Sequence, residues 1–153
     1  MLNRFVLFLA ALMTVNAWAD STIPLDYIPP RVRRAVQRFV PGARPVKAEI
    51  ANDEDWGPKY KIEYLREGHT GKIQVSERGR LLDVDEDINS DQVPPYIRRI
   101  AGRESRGGFF RKGHLEERRG QLVYKLEYSF GESNAKVELT IAQDGTLLDR
   151  DYD

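Results

Sequence analysis

The sequence predicts an α+β chain made of two tandem repeats, each a short helix packed on a roughly four-stranded antiparallel sheet. Three observations predict it. Blocks of sequence recur in the same order at nearly constant spacing. Each repeat opens with a proline-led amphipathic run, and the remainder alternates apolar and polar residues with period two.

IPPRVRRAV begins at Ile28 and VPPYIRRIA at Val93, 65 residues later. YKIEY (Tyr60 to Tyr64) returns as YKLEY (Tyr124 to Tyr128) at an offset of 64. GRLLDVD (Gly79 to Asp85) returns as GTLLDRD (Gly145 to Asp151) at an offset of 66. These blocks divide the chain into a first repeat over 28–87, a linker over 88–92 and a second repeat over 93–153, preceded by a short segment over 20–27.

Each opening predicts a helix. Proline suits the first helical turn, because its fixed φ fits and its missing N–H would have had no partner there. Val32, Val36 and Phe39 then fall at i, i+4 and i+7, with Ala35 beside them, and the second repeat places Ile97, Ile100 and Ala101 likewise. All of these are expected in the core. Pro41-Gly42 stops the first helix, and Gly107-Gly108 the second.

Strands follow. Tyr60, Ile62 and Tyr64 alternate with Lys61 and Glu63, and Ile73 and Val75 with Lys72 and Gln74. Tyr124, Leu126, Tyr128 and Phe130, then Val137, Leu139 and Ile141, alternate in the same way. One face of such a strand is buried and the other wet. Arg78-Gly79 and Asp144-Gly145 predict tight hairpin turns. Val46 to Ala51 and Phe109 to Arg118 are expected as the first strand of each repeat.

The beginning of the chain reads as an export signal. Arg4 supplies positive charge, Phe5 to Val15 an eleven-residue apolar run, and Ala17-Trp18-Ala19 the small residues of a cleavage site. Cleavage after Ala19 is expected, with a periplasmic or secreted product. The apolar run falls short of the ~20 residues a membrane-spanning helix needs, so no membrane insertion is expected after processing. The 153 residues include no cysteine, which excludes thiol catalysis and Cys-ligated metal. Basic and acidic residues balance at 24 each, which gives no general attraction to nucleic acid.

The run from Ile28 to Asp87, with its proline-led helix, Pro-Gly stop, Tyr-bearing strand, Gly turn and acidic final strand, resembles the PepSY-like group, which takes in proteins described as beta-lactamase-inhibitor-like. Most of the pattern recurs through Asp153, although Glu104-Ser105-Arg106-Gly107-Gly108 replaces the Pro-Gly block. The resemblance implies an exported module, and related inhibitors bind protein targets through a concave sheet surface. It implies no catalytic residues.

The residues themselves argue against catalysis. Ser21, Ser76, Ser90, Ser105, Ser129 and Ser133 lack the Gly-x-Ser-x-Gly context of a nucleophile elbow, and there is no Gly-rich phosphate loop. His69 and His114 do not align between repeats and read as surface histidines. The acidic run Asp83, Asp85, Glu86, Asp87 and Asp91 fails as a calcium loop, since Ile88 stands where the turn needs Gly and Pro94 where it needs Glu. Its counterpart is Asp149, Asp151, Asp153. Such alternating acids on a terminal strand keep an edge soluble; the alternative is weak cation binding at Asp83, Asp85, Asp149 and Asp151. Arg31, Arg33, Arg34 and Arg38, with Arg98, Arg99, Arg103 and Arg106, read either as a face for an anionic surface or acidic partner, or as a solvated face partly paired with nearby acids; the second is preferred.

Three aromatics remain. Trp56 sits in the polar turn Asp53-Glu54-Asp55-Trp56-Gly57-Pro58, where no core is evident for it. Phe109 and Phe110 are adjacent and cannot both point inward from a strand. Exposed aromatics anchor interfaces, so Trp56, Phe109 and Phe110 are the candidate binding residues. The expected function is a non-catalytic exported module that recognises another envelope or secreted protein, with no cofactor and with self-association left open. The alternative is a periplasmic sensor or buffer that binds metal ions or a small ligand through its acidic strand ends.

Overall fold

The computed structural model describes residues 20–131 and 134–153. The expected signal segment, Met1 to Ala19, and Ser133 lie outside the described residues. The strands are β1 (Ser21–Ile23), β2 (Arg44–Asp53), β3 (Gly57–Arg66), β4 (His69–Ser76), β5 (Leu81–Ile88), β6 (Phe109–Arg118), β7 (Gln121–Ser129), β8 (Lys136–Ala142) and β9 (Leu147–Tyr152). Two helices interrupt them, α1 (Pro30–Phe39) before β2 and α2 (Pro95–Glu104) before β6.

Both helices begin as the prolines dictate, with Pro30 and Pro95 in the first turn. Val32, Ala35 and Val36 of α1 and Ile97 and Ala101 of α2 are buried against the sheet. Hairpin turns of one geometry close against each helix. The Ser76 N–H donates to the Arg80 carbonyl at 2.9 Å and the Ala142 N–H to the Thr146 carbonyl at 2.8 Å. Gly79 and Gly145 take φ +87° and +93° there, which an L side chain rarely adopts. A Cβ on Gly145 would lie 2.9 Å from Ile100 Cδ1, so bare backbone also lets α2 settle on its turn.

The strands form a single sheet, in the order β1 to β9, with every neighbouring pair antiparallel. This corrects the expected α+β architecture of two four-stranded sheets with one helix apiece: the molecule is a mostly-β protein with one continuous nine-stranded sheet. The join is made by Glu86↔Leu115, Asp87↔His114 and Ile88↔Gly113. Its cause is physical. Left apart, β5 and β6 would each expose a row of unpaired N–H and C=O groups, and pairing them removes two edges. Between them, Asn89 caps the 3-10 turn Ser90–Gln92, its N–H donating to Gln92 Oε1 at 2.8 Å.

Three smaller corrections accompany this one. The acidic strand β5 is central rather than an edge, so Asp83 and Asp85 do not serve to protect an edge. Phe39 and Ile100, expected in the core, pack against it while remaining partly exposed. Strand β1 was not anticipated; three residues are too few for a periodic signal.

The core runs unbroken beneath both helices, and includes Tyr60, Tyr64, Tyr124 and Tyr128 with Ile62, Ile73, Leu126 and Leu139. Burial pushes the Tyr124 phenol up to about 12 and raises those of Tyr60, Tyr64 and Tyr128 as well. In the unfolded chain these phenols ionise near pH 10, whereas the folded chain retains the protons, so their contribution to stability is complete below pH ~10 and is lost above it. For Tyr124 alone the loss between pH 10 and 12 is about 2–3 kcal/mol. Urea denaturation at stepped pH should show a midpoint that falls throughout that window; a flat profile would contradict burial of the phenols.

Candidate functional site

The turn between β2 and β3 is built by Asp53. Its Oδ1 accepts the N–H of Asp55 at 3.0 Å and that of Trp56 at 3.1 Å, and its other oxygen lies 3.4 Å from Lys59 Nζ. The Asp55 N–H, first among these donors, holds the Asp53 carboxyl below its ordinary range. Gly57 follows with φ +71°, turning the chain back into β3. The ring of Trp56 is therefore carried at the tip of a hairpin, 47% exposed.

Trp56 is not free of contacts. The Arg80 guanidinium, from the turn between β4 and β5, lies over the indole with its Cζ 4.2 Å from the ring centroid. That guanidinium also lies against Gly120, in the turn between β6 and β7; a Cβ there would stand 2.9 Å from Arg80 Cζ. Three turns thus meet at one end of the sheet, drawn from both halves of the chain. Beside them is a cleft of about 320 Å³ lined by Phe39, Gly120, Gln121, Gln143 and Asp144. Arg38 stands over the Phe39 ring at 4.8 Å and donates to the Gly79 carbonyl at 3.1 Å.

Phe109 and Phe110 part company as strand alternation requires. Phe109 is 67% exposed. Phe110 packs against the core and meets Tyr128 edge-on, ring centroids 5.8 Å apart. Phe109 begins β6, at the end of the sheet opposite the turn of Trp56, about 30 Å of strand length away. Trp56 and Phe109 therefore belong to different surfaces.

The sheet face turned away from the helices is a lattice of paired charges. Lys125 reaches Glu138 at 3.3 Å and Glu116 at 3.7 Å; Lys112 and Lys136 each reach Glu127 at 3.5 Å; Lys47 reaches Glu49 at 2.8 Å. Exposed pairs like these contribute little each. His114 belongs to it, with Nδ1 2.8 Å from Asp87 and Nε2 3.3 Å from Asp85, partners that the sequence did not reveal because they come from the adjoining repeat. His69 Nε2 lies 3.2 Å from the Asn89 side-chain amide. Asp83 and Asp85 on β5 are separated from Asp149 and Asp151 on β9 by three intervening strands, so the two acidic strand ends do not converge. Among the described residues no group of three or more His, Cys, Asp or Glu is arranged to hold a metal ion.

The helix arginines were expected to be partly paired with acids. Among the described residues none of Arg31, Arg33, Arg34, Arg38, Arg98, Arg99, Arg103 and Arg106 stands within 4.0 Å of a carboxylate oxygen. Arg33 instead donates to the carbonyls of Ile28, at 3.0 Å, and Leu25, tying the N-terminal 3-10 turn to α1. The acid of α2, Glu104, pairs with Arg150 of β9.

One polar cluster was missed altogether. Glu86 is 1% exposed on the helix side of the sheet. Its Oε2 accepts from the Tyr64 hydroxyl at 2.6 Å and from Arg66 Nη2 at 2.8 Å, while Oε1 accepts from Arg66 Nε at 2.9 Å. The signal was present: period two puts Arg66 in line with Tyr64 and Glu86 in line with Val84 and Ile88, on the apolar face of each strand. The cluster is closed and mutually satisfied, which suits a structural role.

No family model and no curated relative matches the sequence. Solved structures of similar fold do exist. One, from Bacteroides thetaiotaomicron and provisionally described as a calcium-regulated periplasmic protein, is 17% identical, with 86% of this chain and 96% of that one covered and a TM-score of 0.50. A second, from Bacteroides vulgatus, is provisionally described as a periplasmic protein of unknown function; it is 17% identical over 87% of this chain and 99% of that one, with a TM-score of 0.49. A third, described as a BLIP-like protein, comes from Bacteroides fragilis and is 17% identical over 82% and 88%, with a TM-score of 0.45. At such identities the likeness is one of fold.

Proposed function

We propose that the chain is an exported, non-catalytic module that binds another protein of the cell envelope, with the turn end of the sheet around Trp56 as its contact surface. The observation that carries this reading is the placement of Trp56. A large apolar ring is held outside the core on a hairpin tip built by Asp53 and is held in place by Arg80. Aromatic and Arg side chains presented together are the residue types that anchor interfaces. Phe109, at the far end of the sheet, is left out of this surface.

Three further points support export and binding. The Arg4-led apolar run ending in Ala17-Trp18-Ala19 has the layout of a cleaved signal. Among the described residues no helix is long and apolar enough to cross a membrane. Two of the proteins of similar fold are provisionally described as periplasmic, and a third as BLIP-like, in keeping with the beta-lactamase-inhibitor-like side of the sequence resemblance. Binding rather than catalysis is favoured because the buried carboxylate, Glu86, is fully engaged and closed off, and because both histidines lie among exposed surface partners.

Replacing Trp56 with Ala is expected to leave the melting temperature nearly unchanged and to weaken capture of the envelope partner at least tenfold, about 1.4 kcal/mol. Immobilised wild type and variant, exposed to the same envelope extract and compared by quantitative mass spectrometry, make the test. A variant that captures the same proteins as well as wild type does would remove Trp56 from the interface.

A further inference from the structure

The helix side of the molecule is basic, although the chain as a whole carries no net charge. Residues 24–42, α1 with its flanks, hold four arginines and one acid, and residues 89–107, α2 with its flanks, hold four arginines and two acids. One of those acids, Glu104, is paired with Arg150 of β9. The hairpin turns that close against the helices, 76–80 and 142–146, add two arginines and two acids. The hairpins 53–57 and 117–120, at the end of the sheet, hold two arginines and four acids, so the positive charge is centred on the helices themselves.

Four of the helix arginines are unengaged. Arg31 and Arg34 lie about one turn apart on α1, and Arg99 and Arg103 on α2. All four are exposed, and among the described residues none has a hydrogen-bonded or ionic partner. On α2 the two line a shallow groove of about 550 Å³ together with Tyr96, Ile100 and Gly102. Tyr27, in the turn before α1, and Tyr96, in the first turn of α2, are exposed beside them. The lysines behave differently. Strand register places all seven on the face away from the helices, and six of them are in ion pairs.

We propose that the helix side docks on a bilayer bearing anionic phospholipid, with the arginines of α1 and α2 on lipid phosphates and Tyr27 and Tyr96 at headgroup level. The contact goes beyond the Trp56 surface and uses none of its residues. It is peripheral, since among the described residues no helix is long and apolar enough to cross a membrane. Two features select lipid as the occupant. The planar guanidinium fork matches phosphate oxygens bidentately, which lysine cannot do. Amphipathic tyrosines and an apolar groove floor beside the cations suit the boundary between headgroup and acyl chain, where one end of a side chain is wet and the other is not. A nucleic acid would use the arginines but not the groove, and an exported chain does not meet one.

The test uses the chain from Asp20 onward, which holds every described element and lacks the apolar leader. Sedimentation with vesicles of phosphatidylcholine containing about one quarter phosphatidylglycerol is expected to show binding at least tenfold tighter than with phosphatidylcholine alone. Raising the salt from about 0.05 M to about 0.5 M should release the chain. Replacing Arg99 and Arg103 together with Gln, or Arg31 and Arg34 together with Gln, should weaken binding by about fivefold for each arginine removed. These side chains are exposed, so the melting temperature should hold, and the two helices supply independent variants. Replacing Lys125 and Lys136 with Gln removes as much charge from the opposite face and should leave binding unchanged, as should Trp56→Ala. Equal affinity for the two vesicle types, binding indifferent to both arginine pairs, or matching losses in the lysine variant or Trp56→Ala would each overturn the proposal. Release of vesicle-bound chain by polyglutamate or a DNA duplex, at a charge concentration equal to that of the lipid, would assign the face to that partner instead and overturn it too.

Discussion

Replacing Glu86 with Ala is expected to destabilise the protein by about 3–5 kcal/mol, because the change strands a buried cation. Arg66 has 11% of its side chain exposed, and both of its donor contacts in the cluster end on the Glu86 carboxylate. Removing that carboxylate leaves the guanidinium desolvated without its counter-charge and the Tyr64 hydroxyl without its acceptor. The pair itself need not be strongly stabilising, since two charges taken from water recover much of the desolvation cost only through each other. The double replacement Arg66→Met with Glu86→Leu should therefore regain most of the loss. Equilibrium urea denaturation of wild type, Glu86→Ala and the double replacement makes the comparison. A single Glu86→Ala variant within about 1 kcal/mol of wild type would mean that Arg66 swings out to water, and that the cluster is not enclosed as described.

This cluster shows where sequence reasoning stopped. The helices, the glycine turns and most strands were legible because each is encoded locally: Pro30 and Pro95 open the helices, Gly79 and Gly145 supply the turns, and alternation marks β3, β4, β7 and β8. What joined them was not local. Nothing within residues 81–88 announces that β5 will pair with β6 across an intervening helix, and so the sequence pattern reads as two sheets where there is one. The same blindness hid the partners of His114, which come from the opposite repeat. Trp56 was legible as exposed because its turn is polar throughout, whereas the arginine that holds it sits 24 residues further on and came without any signal. The helical stripe puts Phe39 in the core, but the cleft beside Gly120 and Gln121 leaves its edge open.

Gly71→Ala is expected to be the other costly substitution, and its reason lies in how Tyr64 reaches Glu86. Tyr64 is on β3 and Glu86 on β5, with β4 between them. The register aligns Tyr64 with Gly71, and since Lys72 faces Asp85 across the next pair, Gly71 stands in line with Glu86. The phenol must therefore cross β4 at the one residue there that has no side chain. A Cβ on Gly71 would lie 2.3 Å from Tyr64 Cζ, a distance real atoms do not sustain. A glycine inside a strand often marks such a close approach. In the second half of the chain Tyr128 faces Val137 instead, and its ring meets Phe110 rather than a buried acid, so no bare position is needed. Overpacking at Gly71 and loss of the hydrogen bond to Glu86 together should cost about 3 kcal/mol or more. The mechanism makes a second demand: in a Tyr64→Ala background the clash is gone, so Gly71→Ala should become nearly neutral there. A double-mutant cycle by urea denaturation reads this coupling directly, and additive effects at the two positions would show that the phenol does not pass over Gly71.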